Sequence, residues 1–477
     1  KTPLGAGICY SDSGGPCQVL DMVGGYHPTM LGNNHPGATE YLASLITCGM
    51  PGVKDSGGIH PASETLAEKL SGIVSAYTGN NYISTFIRNE AEAIGAAISH
   101  ARNEFIARAV RQQTDGDNNA AMLLHQARKN QESAWLEVEA VTGRTVERTS
   151  RALVQAIHEY NETIYNKEPL FIAMHHSFHG FNSGSVAFWY GSEPSRPFSR
   201  IGVRLQLITQ TARNLQNTVE GEKRELLAIE LGPEQELKVV TRQWCGVGGV
   251  FIEPVQSEGG VYPVSRTFIN SLRETADRYG FPVIIDETQC GIGRSGTFCA
   301  SEQVGLTGDY YLLSTGLFGG AYRVSTLLVD ERRYQKEFGY TRTPFHEEEG
   351  LSVLMALKEL EIIEMDRLAS MAERKGILFT HKLQALRERY PDIVADIRGR
   401  GLLMGLELAS LNESPSFLLR ALSSGGMETV NHVISGYLAN RYRVRLAPAR
   451  TRNAIRFSPP AYLNEQEMDR VVYALEG

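Results

Sequence analysis

The stretch from Val247 to Glu287 limits the fold more than any other part of the chain. Val250-Phe251-Ile252 is a short apolar run closed by Glu253-Pro254, the pattern of a buried strand and its exit. Ser265 can cap a helix whose apolar face carries Phe268, Ile269, Leu272 and Ala276, and Gly280 stops it. Pro282-Val283-Ile284-Ile285 follows as a second buried strand, with Asp286 at its C-terminal end. A strand, a helix and a strand in this order imply a parallel sheet with a right-handed crossover, so the expected fold class is α/β. Sheets of this kind take ligands beyond the carboxyl ends of their strands. Asp286 therefore stands where chemistry would happen.

Further elements flank that unit. Residues 62–76 and 91–107 read as helices, with a strand over 82–87 between them. The stretch from Asn103 to Lys167 is polar and helical in pattern, broken near Asp115-Gly116-Asp117 and Gly143, and reads as inserted helices. Residues 358–390 read as one or two long amphipathic helices, 399–408 as a strand, and 455–460 as the approach to a terminal helix. With 477 residues, two or more subdomains are expected. A net charge of −7 and scattered basic residues argue against a nucleic-acid partner. No run of about 18 apolar residues occurs, so no membrane-spanning helix is expected. The first ten residues lack an apolar signal core, and the six cysteines are sparse. Reduced cysteines in the cytoplasm are the expectation. In His175-His176-Ser177-Phe178-His179, the first and last histidines would share one face of a strand, but no acid or cysteine motif completes a metal site, and none is expected.

The segments Glu253-Pro254-Val255-Gln256-Ser257-Glu258-Gly259-Gly260 and Asp286-Glu287-Thr288-Gln289-Cys290-Gly291-Ile292-Gly293-Arg294-Ser295-Gly296 resemble the class III aminotransferases, enzymes that depend on pyridoxal phosphate (PLP). Leu31-Gly32-Asn33-Asn34-His35-Pro36, Phe178-His179-Gly180, Arg398-Gly399-Arg400-Gly401-Leu402 and Ile455-Arg456-Phe457-Ser458-Pro459-Pro460 extend the resemblance in the family's order over almost the whole chain. It implies PLP-transferase fold type I: a large domain with a mostly parallel sheet of the seven-stranded type, and a smaller α+β domain. The large domain is expected over 61–329, with a helical insertion at about 103–167; residues 1–60 and 330–477 form the small one. By the same resemblance Asp286 pairs with the pyridinium nitrogen of PLP, keeping the ring protonated and electron-withdrawing. Gln289 matches the contact to the ring hydroxyl, and Phe178 the aromatic residue stacked on the ring face. Arg456 matches a residue that binds a substrate carboxylate, and Glu253 is grouped with it on the substrate side. Plainer alternatives are a helix cap or ion-pair partner for Asp286, ordinary core for Phe178 and a salt bridge for Arg456.

The chain departs from the family's pattern in three places. The family's lysine sits in a short turn before a glycine pair, and the corresponding run here is Ser314-Thr315-Gly316-Leu317-Phe318-Gly319-Gly320. Thr315 occupies the lysine's position; a hydroxyl cannot form an imine or shuttle protons as a tuned amine does. Loss of a general base alone costs roughly 10²–10⁴-fold in rate. Arg88-Asn89-Glu90-Ala91-Glu92-Ala93 corresponds to the helix start that receives the phosphate, with Asn89 as its cofactor-side residue and Glu90 in place of a glycine. A carboxylate about 4 Å from one phosphate charge costs about 4 kcal/mol at an effective dielectric near 20, unless Glu90 is a first-turn acid facing solvent. Third, Thr343-Pro344-Phe345 and Glu347-Glu348-Glu349 replace the loop that reaches a neighbouring subunit's phosphate; a solvated acidic turn reads equally well.

The expectation from these departures is no covalent cofactor, with PLP or its amine form PMP disfavoured. Three readings of function result. In the first, an enzyme repurposes a pocket at a homodimer interface for a small amine or amino-acid-like ligand, by elimination, cyclisation or condensation. Asp286 serves there as acid or base, Thr315 as a hydrogen-bonding partner, and Glu90 adds negative charge. In the second, a catalytically dead pseudoenzyme uses the insertion as a binding surface. In the third, PLP or PMP is held without the lysine link.

Overall fold

The computed structural model describes residues 7–12, 15–24, 29–49, 61–127, 132–180, 203–317, 322–339, 350–410, 420, 427–449 and 453–477. The chain opens with strands β1 (Gly7–Asp12) and β2 (Gly15–Asp21), then helices α1 (Pro36–Thr47) and α2 (Pro61–Thr78) and strand β3 (Tyr82–Ile87). Helices α3 (Glu90–Gln126), α4 (Glu132–Thr142) and α5 (Ser150–Tyr165) precede strands β4 (Leu170–Met174) and β5 (Leu205–Ile208). Helix α6 (Ala212–Gly221) leads to a hairpin of β6 (Lys223–Leu231) and β7 (Leu237–Cys245), then β8 (Val247–Ile252), β9 (Val255–Gln256) and β10 (Tyr262–Pro263). After α7 (Arg266–Tyr279) come β11 (Val283–Asp286), the short α8 (Ala300–Val304), β12 (Tyr310–Leu317) and β13 (Tyr322–Asp330). Helices α9 (Gly350–Met365) and α10 (Leu368–Arg389) lead to β14 (Val394–Arg400) and β15 (Leu403–Leu408). The C-terminal part holds α11 (Met427–Tyr442), β16 (Val444–Arg445), β17 (Ala447–Pro448), β18 (Ala454–Phe457) and α12 (Glu465–Glu476).

Among the described residues the central sheet has seven strands in the order β3-β13-β12-β11-β8-β4-β5. Only β13 runs against the rest, pairing antiparallel with β12 and β3. The α/β class and the mostly parallel sheet are as expected. Side chains alternate across this sheet as the strand period of two requires. Val250, Ile252, Val283, Ile285, Tyr311 and Leu313 face one way, into a core shared with α2, α7 and α9. Phe251, Ile284, Tyr310 and Leu312 face the other way, onto Ile94, Ala97, Ile98 and Ala101 of α3. With helices on both faces the inner strands β4, β8 and β11 are buried throughout, which is why they read as short, mainly apolar runs. A separate core joins Leu20 and Met22 to Phe379, Leu383, Met404, Leu406, Phe457 and Val471.

Three local expectations are corrected. Helix α3 is not broken at Asp115-Gly116-Asp117 but continues to Gln126. Residues 399–408 are not one strand: Gly399 and Gly401 have positive φ, and the chain reverses between β14 and β15. Thr315 lies within β12, its backbone paired with that of Val324, where the sequence suggested a turn. The β6–β7 hairpin was not anticipated; it packs Leu227, Ile229 and Leu237 against Trp135, Val138, Leu153 and Ile157 in a core of their own. The acidic run Glu347-Glu348-Glu349 lies outside the described residues.

Candidate active site

Asp286 ends β11 at the carboxyl edge of the sheet, and the chain turns at once into Glu287-Thr288-Gln289. Its carboxylate is 2% exposed and held from two sides. Thr288 donates twice to Oδ1, through its backbone N–H at 3.0 Å and its hydroxyl at 2.6 Å. His179, equally buried, lies with Nδ1 2.7 Å from Oδ2. Against an ionised carboxylate, which has no proton to give, Nδ1 would be the donor. The turn beyond is fixed by Glu287, which accepts from the Ala300 and Ser301 N–H groups at the start of α8 (2.9 and 2.7 Å). Gln289 is buried on the same turn.

His179 and Phe178 ride on the turn after β4, where Ser177 N–H donates to Met174 O at 3.1 Å and His176 has φ 66°. Phe178 is half-buried. Glu253, at the exit of β8, holds that turn: Oε2 accepts from Phe178 N–H (3.2 Å) and Oε1 from Ser257 N–H (3.4 Å). Burial first, and the charge of Asp286 second, hold the Glu253 carboxyl well above the usual carboxylate range. In this geometry Glu253 braces the turn carrying Phe178, from inside the protein.

The same turn touches the start of α3. Gly180 has φ +82°, and a Cβ there would stand 2.9 Å from Ala91 Cα and Cβ, so only glycine fits the approach. Asn89 caps α3, accepting from Glu92 N–H at 2.9 Å and donating to Glu92 Oε1 at 2.8 Å. Glu90 and Glu92 are half-buried acids of the first turn, where the helix dipole favours them, and Arg88 is exposed. The structure thus brings Asp286, Phe178 and the Asn89–Glu90 turn together through His179 and Gly180.

Arg456, on β18, is buried and already engaged: Nη1 donates to Ser257 Oγ at 2.6 Å and lies 3.1 Å from Glu258 Oε1. The backbone of Thr315 lies on β12, three residues past Leu312, the register partner of Asp286. That is about 10 Å along the strand at the usual rise per residue. His179, Thr288, Ser257 and Glu258 were not picked out by sequence reasoning. The signal for His179 was the Phe178-His179-Gly180 motif. Among the described residues no group of three or more His, Cys, Asp or Glu could hold a metal ion.

The profile of the family described as Aminotransferase class-III matches residues 5–475. The chain belongs to this family. Acetylornithine aminotransferase of Mesorhizobium japonicum is 36% identical over 173 residues, which is 36% of this chain and 43% of the relative. The corresponding enzyme of Rhodobacter capsulatus is 31% identical over 159 residues, 33% of this chain and 40% of the relative. The match therefore spans less than half the length of these curated relatives. Among solved structures, an omega-aminotransferase from Paracoccus denitrificans aligns with TM-score 0.69 at 18% identity, covering 100% of this chain and 92% of that one. An amine transaminase from an uncultivated Pseudomonas species, solved in a PLP-bound form, aligns with TM-score 0.67 at 20% identity over 100% of this chain and 94% of that one. These structures establish fold type I for this class III member. They also correct the expectation about the cofactor. Membership in a PLP-dependent family overturns a pocket with no covalent cofactor and with PLP disfavoured, and PLP is the group to expect. The physical reason is in the site itself: Glu90 is a first-turn acid of α3, where the helix dipole favours it, and Asp286 is held by His179 and Thr288. No helix among the described residues is long and apolar enough to cross a membrane.

Proposed function

We propose that this chain binds PLP at Asp286 and uses it on an amine or amino-acid-like substrate, by chemistry other than ordinary lysine-dependent transamination. The observation that carries this reading is the buried Asp286 carboxylate at the carboxyl edge of the sheet, clamped by His179 and Thr288. The donor set fits the group: one ionised carboxylate for a pyridinium nitrogen, the Phe178 ring for the flat face, and a capped helix start beside them for a phosphate. When bound, PLP supplies an electron sink for charge that develops beside a substrate amine.

Each of this chain's residues has a task in that scheme. Asp286 accepts the ring N–H and balances its charge. Phe178 and Gln289 orient the ring. Glu253 braces the Phe178 turn, and Asn89 fixes the helix start. Arg456 recognises a substrate carboxylate once Glu258 yields it. Thr315 offers a hydroxyl where the resemblance places an amine, so proton movement there is limited to hydrogen bonding. Elimination, cyclisation and condensation are the reaction classes compatible with such a site. A second copy of the chain would complete the pocket, as the resemblance to a family of homodimers suggests. Residues 61–329 would form the large domain and the remainder the small one.

The test is equilibrium binding of PLP to the purified full-length chain, with amino-group exchange between amino acids and 2-oxo acids assayed in parallel. Wild type is expected to bind PLP, and Asp286→Asn to bind at least about tenfold more weakly, the loss of one charge-assisted hydrogen bond. Exchange at an ordinary rate is expected only in Thr315→Lys. Failure of wild type to bind PLP, or ordinary exchange by wild type, defeats the reading.

A further inference from the structure

An ionised carboxylate has about four lone-pair positions. In Asp286 three are taken: two on Oδ1, by the Thr288 N–H and hydroxyl, and one on Oδ2, by His179. Among the described residues one position remains, on Oδ2, and its direction is set because the other three cannot be kept if the carboxylate rotates. The Thr288 hydroxyl makes the shortest of the three contacts, at 2.6 Å, in the range of charge-assisted O–H···O bonds. Thr288 is itself buried at 7% exposure, so water does not replace this donor easily.

We propose that Thr288 is a positioning residue whose hydroxyl locks Asp286 as the charged, single-vacancy acceptor for the ring N–H of a pyridoxal-type ligand. This rests on the reading of the pocket as a PLP site. The hydroxyl matters because Asp286 does not stand alone. Glu253 is buried beside it and receives only two longer backbone contacts, at 3.2 and 3.4 Å. Two neighbouring buried carboxylates cannot both keep a negative charge cheaply, and the better hydrogen-bonded one retains it. His179 and Thr288 give Asp286 that advantage; Glu258, near Glu253, is engaged by Arg456. Asp286 is thereby a fixed counter-charge and not a mobile acid or base for the substrate.

The experiment compares two probes on the full-length protein: 4-deoxypyridoxine phosphate, which has the ring nitrogen and no aldehyde, and its 1-deaza analogue, which lacks the nitrogen. The ratio of their affinities isolates the Asp286 contact. Wild type should favour the nitrogen-bearing probe clearly. Thr288→Val, equal in shape but without the donor, should reduce that ratio about tenfold, and Thr288→Ser should keep it near wild type. Thr288→Ala serves as a second donor-free variant should valine disturb folding, judged by circular dichroism. An unchanged ratio in the folded Val and Ala variants overturns the role of Thr288 and leaves the PLP reading standing. Absence of binding by wild type, or equal affinity for both probes, overturns the PLP reading and this inference together.

Discussion

His100, on α3, is buried beneath the central sheet and wired into a polar network. Its Nε2 accepts from Gln335 N–H at 3.0 Å, so Nδ1 carries the proton and donates to Tyr310 Oη at 2.7 Å. Tyr310 in turn donates to Glu104 at 3.1 Å, and Arg333 bridges Glu104 and Asp309. Burial pushes the His100 imidazole down to about 4. In the unfolded chain it titrates near 6.5, so between these values the unfolded state binds more protons. The contribution is complete above about pH 6.5 and is lost as pH falls towards 4, amounting to about 3 kcal/mol at 1.36 kcal/mol per pH unit. Urea unfolding should therefore show the advantage of wild type over His100→Asn shrinking by about that amount from pH 7 to pH 4. A constant difference would remove His100 from the acid response. The same logic of donors and burial at Asp286 was only partly visible beforehand. Its place at a strand end could be read from Val283-Ile284-Ile285, but its partners could not. His179 arrives from 107 residues away. The Thr288 hydroxyl counts only because the strand ends in a turn tight enough to fold it back two residues.

Helix α3 shows how an element can overrule its local signals. Gly116 read as a break, yet α3 runs through it, because one exposed glycine inside a helix costs only about 1 kcal/mol relative to alanine. Flanking turns anchored by Ala109, Ala120 and Leu124 outweigh that penalty. A Cβ at Gly116 would meet nothing within 4 Å, and its φ is not in the left-handed range. Gly116→Ala should accordingly stabilise α3 and the helices packed on it by about 0.5–1 kcal/mol, seen as slower hydrogen exchange across α3 and α5. Faster exchange would mean that the kink potential of glycine is used. Strand β8, helix α7 and strand β11 were legible because burial on both sheet faces leaves uninterrupted apolar runs, and α7 has its expected Ser265 cap and Gly280 stop. The β6–β7 hairpin was not. Its exposed face, with Glu225, Glu230, Lys238, Thr241, Arg242 and Gln243, blends with the polar stretch before it, although Leu226, Leu227 and Ile229 before Gly232-Pro233 marked a strand and a turn.

Across the whole molecule, the large-sheet core and the C-terminal core meet where backbone touches backbone. Leu402 N–H donates to Arg294 O at 3.0 Å, and Gly401, at φ +53°, lies so close that a Cβ would come within 2.5 Å of the Ser295 carbonyl carbon. Gly376 of α10 presses on the other side of Gly401. Gly401→Ala combines left-handed strain with a clash against backbone that cannot swing away, and should destabilise the protein by at least about 2 kcal/mol in chemical denaturation. A loss under about 0.5 kcal/mol would show that the seam relaxes.

Helix α3 also joins two distant places, beginning at the turn that Asn89 caps beside Gly180 and ending in the core with Trp135 and Leu153. Its 37 residues form a rod of about 55 Å. A rod without a hinge transmits tilt. Whatever grips the far end, whether an antibody fragment or a neighbouring macromolecule, holds the same element that Asn89 caps beside Gly180.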